Sequence, residues 1–185
     1  MRKIAIALLA GSLLSMPLTG CSDEATAVTP APIAMTDDAV GHYCQMYVLD
    51  HGGPKAQIHL KGFEQPLWFA QVSDAVAYMH DKERTADVLA VYVSDMEKAV
   101  SWGEPGVENW VGADRAFFVT GSRQMGGMDT PEAIPFGTRE AAETFVRREG
   151  GSIVTFDAIP EEYVRPQAAM NIEDVQQQPM HGHGS

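Results

Sequence analysis

Residues 67–79 and 134–146 carry the same pattern, and that internal repeat limits the fold more than any other feature. Aligning Phe69 with Phe136 also aligns Ala75 with Ala142, Tyr78 with Phe145 and Met79 with Val146. In each copy an apolar run leads into apolar residues at helical spacing, Val72, Ala75, Val76 and Met79 in the first and Ala141, Ala142, Phe145 and Val146 in the second. Thr138 is placed to N-cap the second helix, and Gly150-Gly151 to end it. Strands are expected at 43–50, 56–60 and 88–93 in the first half, and at 116–120, 133–136 and 153–156 in the second. The turn Asp50-His51-Gly52-Gly53-Pro54 separates the first two.

The result is an α+β chain of two related ββαβ units, each a small antiparallel sheet packed on a helix. They are expected at 40–96 and 115–165, joined by 97–114. A single merged domain is the competing arrangement. Residues 21–39, small, polar and proline-containing, read as a flexible tether. Residues 166–185, poor in apolar side chains, read as a disordered tail.

Residues 1–20 have the layout of an export signal. Arg2 and Lys3 precede an apolar stretch too short for a spanning helix, which needs roughly 20 residues. The stretch closes Leu18-Thr19-Gly20-Cys21, which resembles a bacterial lipobox. Lipidation of Cys21 would replace the leader as anchor, stable anchoring taking more than one acyl chain. Ser22 points to outer-membrane sorting, with the inner membrane as the alternative. The formal charge of −12 argues against a nucleic-acid partner, which requires basic patches.

The chain has two cysteines. With Cys21 lipidated, Cys44 has no intramolecular partner in an oxidising compartment, which marks it as a ligand or reactive thiol; a buried inert cysteine is the alternative. Its surroundings are His42-Tyr43-Cys44-Gln45-Met46. On a strand, His42, Cys44 and Met46 would share a face. Thiolate and thioether together select Cu(I). A second sulfur source is Gln124-Met125-Gly126-Gly127-Met128, a glycine-rich loop with no apolar periodicity to make it core. Met128 is preferred over Met125 because it lies nearer the next strand. His181 and His183, on the tail, can capture Cu(II) or zinc weakly, or be inert. His51, His59 and His80 read as structural or surface residues. No nucleophile elbow and no phosphate loop is present.

The runs Gly41-His42-Tyr43-Cys44-Gln45-Met46 and Gly53-Pro54-Lys55-Ala56-Gln57-Ile58 resemble the NosL family. So do Pro66-Leu67-Trp68-Phe69, Tyr92-Val93-Ser94-Asp95-Met96, Asn109-Trp110 and Gly126-Gly127-Met128. The resemblance spans residues 40–159. It implies two related ββαβ units and a Cu(I)-binding lipoprotein on the periplasmic face of the membrane. It implies delivery of copper to apo-nitrous oxide reductase for its catalytic centre, beside a membrane ABC-transporter complex. It implies ligation by Cys44 and Met46, with Met128 as third ligand and His42 adjusting the site or aiding transfer.

Two other functions compete. A general copper store or resistance lipoprotein would hold several ions through many methionines, and one Cys-x-Met pair argues against it. An enzyme using Cys44 as nucleophile, with His42 beside it, lacks an orienting third group.

Overall fold

The computed structural model of the protein describes residues 29–159. The lipobox with Cys21 and the histidine tail lie outside them. The described elements run in the order β1 (Ala56–Leu60), β2 (Leu67–Phe69), α1 (Val72–His80), β3 (Val88–Ser94), β4 (Trp110–Gly112), β5 (Phe117–Thr120), β6 (Ile134–Phe136), α2 (Arg139–Glu149) and β7 (Ser152–Val154). One sheet has the order β2-β1-β3-β4 and the other β6-β5-β7, all pairs antiparallel.

The repeat is visible in the register. Ala56 on β1 pairs with Phe69, as Phe117 on β5 pairs with Phe136. In both units the first strand is central, flanked by the second and by the strand after the helix. The fold is α+β as expected. β4 was not expected. It comes from the segment read as a linker and adds a fourth strand through Tyr92↔Gly112 and Ser94↔Trp110.

The alternation on β5 joins the two units. Phe118 faces the core of the first unit, with Ile58, Phe69, Val76 and Val93. Its neighbour Val119 faces Ile134, Phe136 and Phe145 under α2. The second sheet is therefore covered by α2 on one side and by the first unit on the other. Fully burying one such side chain contributes about 1.5–3 kcal/mol. Asp95, just past β3, ties the halves further: one carboxylate oxygen accepts from the Gly137 N–H at 2.7 Å and the other meets Lys98 Nζ at 2.9 Å.

The expected strand at 43–50 does not form. Residues 40–47 make a tight loop closed by a Val40↔Tyr47 bridge, and a 3-10 turn at Val48–Asp50 follows. Nor is the segment before Val40 free. The Ile33 N–H and carbonyl both bond the Gln57 side chain at 3.0 Å, Tyr92 Oη donates to the Pro30 carbonyl at 2.7 Å, and the Met35 N–H reaches Val107 at 2.9 Å. The buried polar Gln57 side chain has to be satisfied, and the backbone of this strap supplies its partners.

Candidate metal site

Cys44 lies in the 40–47 loop and is half-buried. The Gly41 N–H donates to the Met46 carbonyl at 2.9 Å, the Gln45 N–H returns to the Gly41 carbonyl at 2.9 Å, and the His42 N–H donates to Trp68 at 2.7 Å. These bonds curl the loop and pin it to the edge of β2. Gln45 sits at φ 57°, a left-handed conformation that breaks any strand alternation. The Cys44 thiol folds back so closely that a Cβ at position 41 would collide with Sγ. Behind it lie Ala70 and Trp68.

The three residues expected on one strand face are thus placed by a loop instead. His42 turns its ring to Phe69 and Tyr78, with centroids 5.7 and 5.4 Å away. Cys44 packs instead beside Ala70 and Trp68. Met46 stands 41 % exposed at the loop's end. The common face of His42, Cys44 and Met46 does not exist, because alternation requires extended backbone and Gln45 is not extended.

Met128 follows the second glycine of its loop and is 37 % exposed. The loop is closed by the Gly126 N–H to the Thr130 carbonyl at 2.8 Å and by a Met125↔Pro131 bridge. It touches the first unit at Gly127, where a Cβ would strike the Gly52 carbonyl and come within 3.1 Å of His51 Cβ. The glycine is what lets the two loops meet. His51 Nε2 is buried there without a hydrogen-bond partner.

Beneath the loops lies a buried pair that the sequence did not reveal. Lys55 is fully buried, its Nζ donating to the carbonyls of Gly52 at 3.0 Å and Ala70 at 3.2 Å. Burial lowers its pKa to about 8, opposed by the negative charge of Glu132 and of Cys44. Glu132 comes from the second unit. It accepts from the N–H groups of Val72 at 3.2 Å, Ser73 at 3.0 Å and Ala133 at 2.8 Å. Burial raises its pKa to about 8 against those three donors, and Asp74 raises it further. Neither residue stands out in sequence. Lys55 sits among apolar positions opening β1, and Glu132 follows a loop. A lysine directly before a strand, between Pro54 and Ala56, was the one available signal.

Of the other histidines, His59 is buried and bonded to Gln57 Oε1 at 2.8 Å, and His80 is exposed at the end of α1. Among the described residues no group of three His, Cys, Asp or Glu side chains could hold a metal. The 40–47 loop, the turn at His51 and the loop from Gly126 to Thr130 carry one thiol, two exposed thioethers and the unpartnered His51 nitrogen, donor types that suit a soft metal ion.

Residues 32–164 match the NosL family model. The chain is 46 % identical over 148 residues to the copper-binding lipoprotein NosL of Achromobacter cycloclastes, covering 80 % of this chain and 76 % of the relative. It superposes on the copper chaperone NosL from Shewanella denitrificans with a TM-score of 0.65 at 30 % identity, covering 72 % of this chain and 99 % of that one. Against the solution structure of apo-NosL from Achromobacter cycloclastes the TM-score is 0.46 at 45 % identity, covering 62 % and 92 % of the two chains.

Proposed function

The chain belongs to the NosL family, and from that we propose that it is a lipid-anchored chaperone carrying Cu(I) outside the cytoplasm. Its client is apo-nitrous oxide reductase, which it supplies with copper for assembly of the catalytic centre, beside a membrane ABC-transporter complex. Copper binding accords with what the relatives are named for. The monovalent state, the client and the transporter rest on the family resemblance and on the donor chemistry.

The observation that supports the reading is the half-buried Cys44 thiol with the exposed thioether of Met46 on its own loop, and the exposed thioether of Met128 on a second-unit loop that rests against the His51-Gly52 turn. Cys44 supplies the anionic donor, and Met46 and Met128 complete a soft set. His51 is a further candidate nitrogen donor beside His42, since its Nε2 is buried without a partner, whereas the exposed His42 has its ring against Phe69 and Tyr78. Exposed thioethers leave room for a ligand of the client to displace them one at a time, so transfer proceeds by exchange and no turnover chemistry is required. The relatives are named as a lipoprotein and a chaperone, which agrees with a non-enzymatic role. Anchoring through Cys21 is read from the lipobox and accords with the relative's name as a lipoprotein, and its place at the periplasmic face of the outer membrane rests on Ser22 and the family resemblance alone.

The test is an anaerobic Cu(I) titration of the full-length chain in detergent against a competing chelator, with Cys44→Ser beside it. Tight binding that disappears in the variant supports the site, and transfer of the loaded metal to apo-nitrous oxide reductase then tests the client. Binding indifferent to Cys44 overturns it.

A further inference from the structure

Resting on the reading that Met128 is a metal donor, we infer that Glu132 and Gln71 are its positioning residues, a clamp that sets where the second unit's loop sits against the first unit.

α1 opens without a cap of its own. Gln71 stands at the N-cap position, but its side chain makes no capping bond. The first backbone donors of a helix need acceptors, more so when buried. Here the acceptor arrives from the other unit, as Glu132 takes the N–H groups of Val72 and Ser73. Gln71 uses its side chain in the opposite direction, Nε2 donating to Thr130 Oγ1 at 2.7 Å. The two units therefore exchange hydrogen bonds at one point, and the donor loop ends there.

The loop is held close to both partners. A Cβ at Gly126 would lie 3.0 Å from Gln71 Nε2 and 3.3 Å from Glu132. One residue on, Gly127 rests against Gly52 and His51. Thr130, bonded through its hydroxyl to Gln71, also accepts the Gly126 N–H through its carbonyl. Gly126 to Glu132 is thus fixed at both ends, and Met128 lies between the fixed points. By contrast, Met46 belongs to a loop held within the first unit, by Gly41 N–H to the Met46 carbonyl, by Val40↔Tyr47 and by the His42 N–H to Trp68. Met128 is the donor whose place depends on how the units dock, and Glu132 and Gln71 fix that docking at the donor loop.

Residues that orient metal ligands without touching the metal typically change affinity by about 10–100-fold when lost. The experiment is a double-mutant cycle on Cu(I) affinity in the full-length chain. Glu132→Gln keeps size but turns an amide N–H₂ against a backbone donor. Gln71→Met keeps length and removes the Thr130 bond. Each is made alone and with Met128→Leu. The expected result is an affinity loss of about tenfold or more in the native background and little change when Met128 is already Leu. Sulfur coordination by Cu X-ray absorption should fall from three to two in Glu132→Gln, as in Met128→Leu. Equal losses in both backgrounds, or three sulfurs kept in both clamp variants, overturn the clamp. An unchanged affinity in Met128→Leu alone overturns the donor reading beneath it, a result the cycle reports separately. If Glu132→Gln does not fold, Gln71→Met decides.

Discussion

Gly41 shows what one missing Cβ permits. Cys44 Sγ occupies the space a side chain at 41 would need, so the thiol can fold back on its own loop. Gly41→Ala should push the thiol out of place and lower Cu(I) affinity while leaving the fold intact, measurable by chelator competition beside a thermal melt. An unchanged affinity would show that the inward thiol position is not the binding one. The histidines give a second comparison. His51→Ala should weaken Cu(I) binding, because it removes a buried unpartnered nitrogen beside Gly127. His42→Ala should cost stability through lost contacts with Phe69 and Tyr78, and change affinity less. The reverse order would return the nitrogen role to His42.

At the scale of elements, the two helices begin by opposite means. α2 caps itself: Thr138 Oγ1 accepts the Ala141 N–H at 3.2 Å, and Gly150 closes the far end onto Val146. Thr138→Ala should cost about 1 kcal/mol of stability, read from a denaturant midpoint, with no change in metal affinity. α1 borrows its cap from Glu132, sixty residues away in sequence from Val72. That difference explains what could be read beforehand. The Thr138 cap is local and was visible. The Glu132 cap is a long-range contact that no spacing announces. The same holds for β4: Trp110–Gly112 is too short to read as a strand, and only the exposed edge of β3 makes it one.

For the whole molecule, the buried pair sets a pH dependence. Glu132 moves from 4.5 to about 8 on folding, so between those values the folded state holds a proton that the unfolded state has lost. Its contribution is full below pH 4.5 and is lost as pH rises toward 8, at most about 5 kcal/mol for a fully buried carboxyl. Lys55 moves from 10.5 to about 8, so its contribution appears only as pH rises above 8. The two together predict a stability trough near pH 8. Denaturant midpoints taken between pH 5 and 8 should fall in the native protein and flatten in Glu132→Gln. A native profile that rises across that window would contradict the assignment. Copper affinity should run the other way at low pH, falling with acidity because the Cys44 thiol must lose its proton to bind.

The sequence by itself determined the repeat, both helices and the central strands, since periodicity is a local property. It also marked Cys44 as the thiol without a disulfide partner. Tertiary structure decided where the candidate donors lie. The alternation read for His42, Cys44 and Met46 fails at Gln45, whose left-handed backbone follows from the bonds pinning the loop to Trp68 and closing it on itself. Lys55 and Glu132 became buried ionisable groups only when the two units packed, because burial is a property of the folded chain. Strand periodicity orders side chains along one segment, but only packing brings Gly127 of the second unit against Gly52 and His51 of the first.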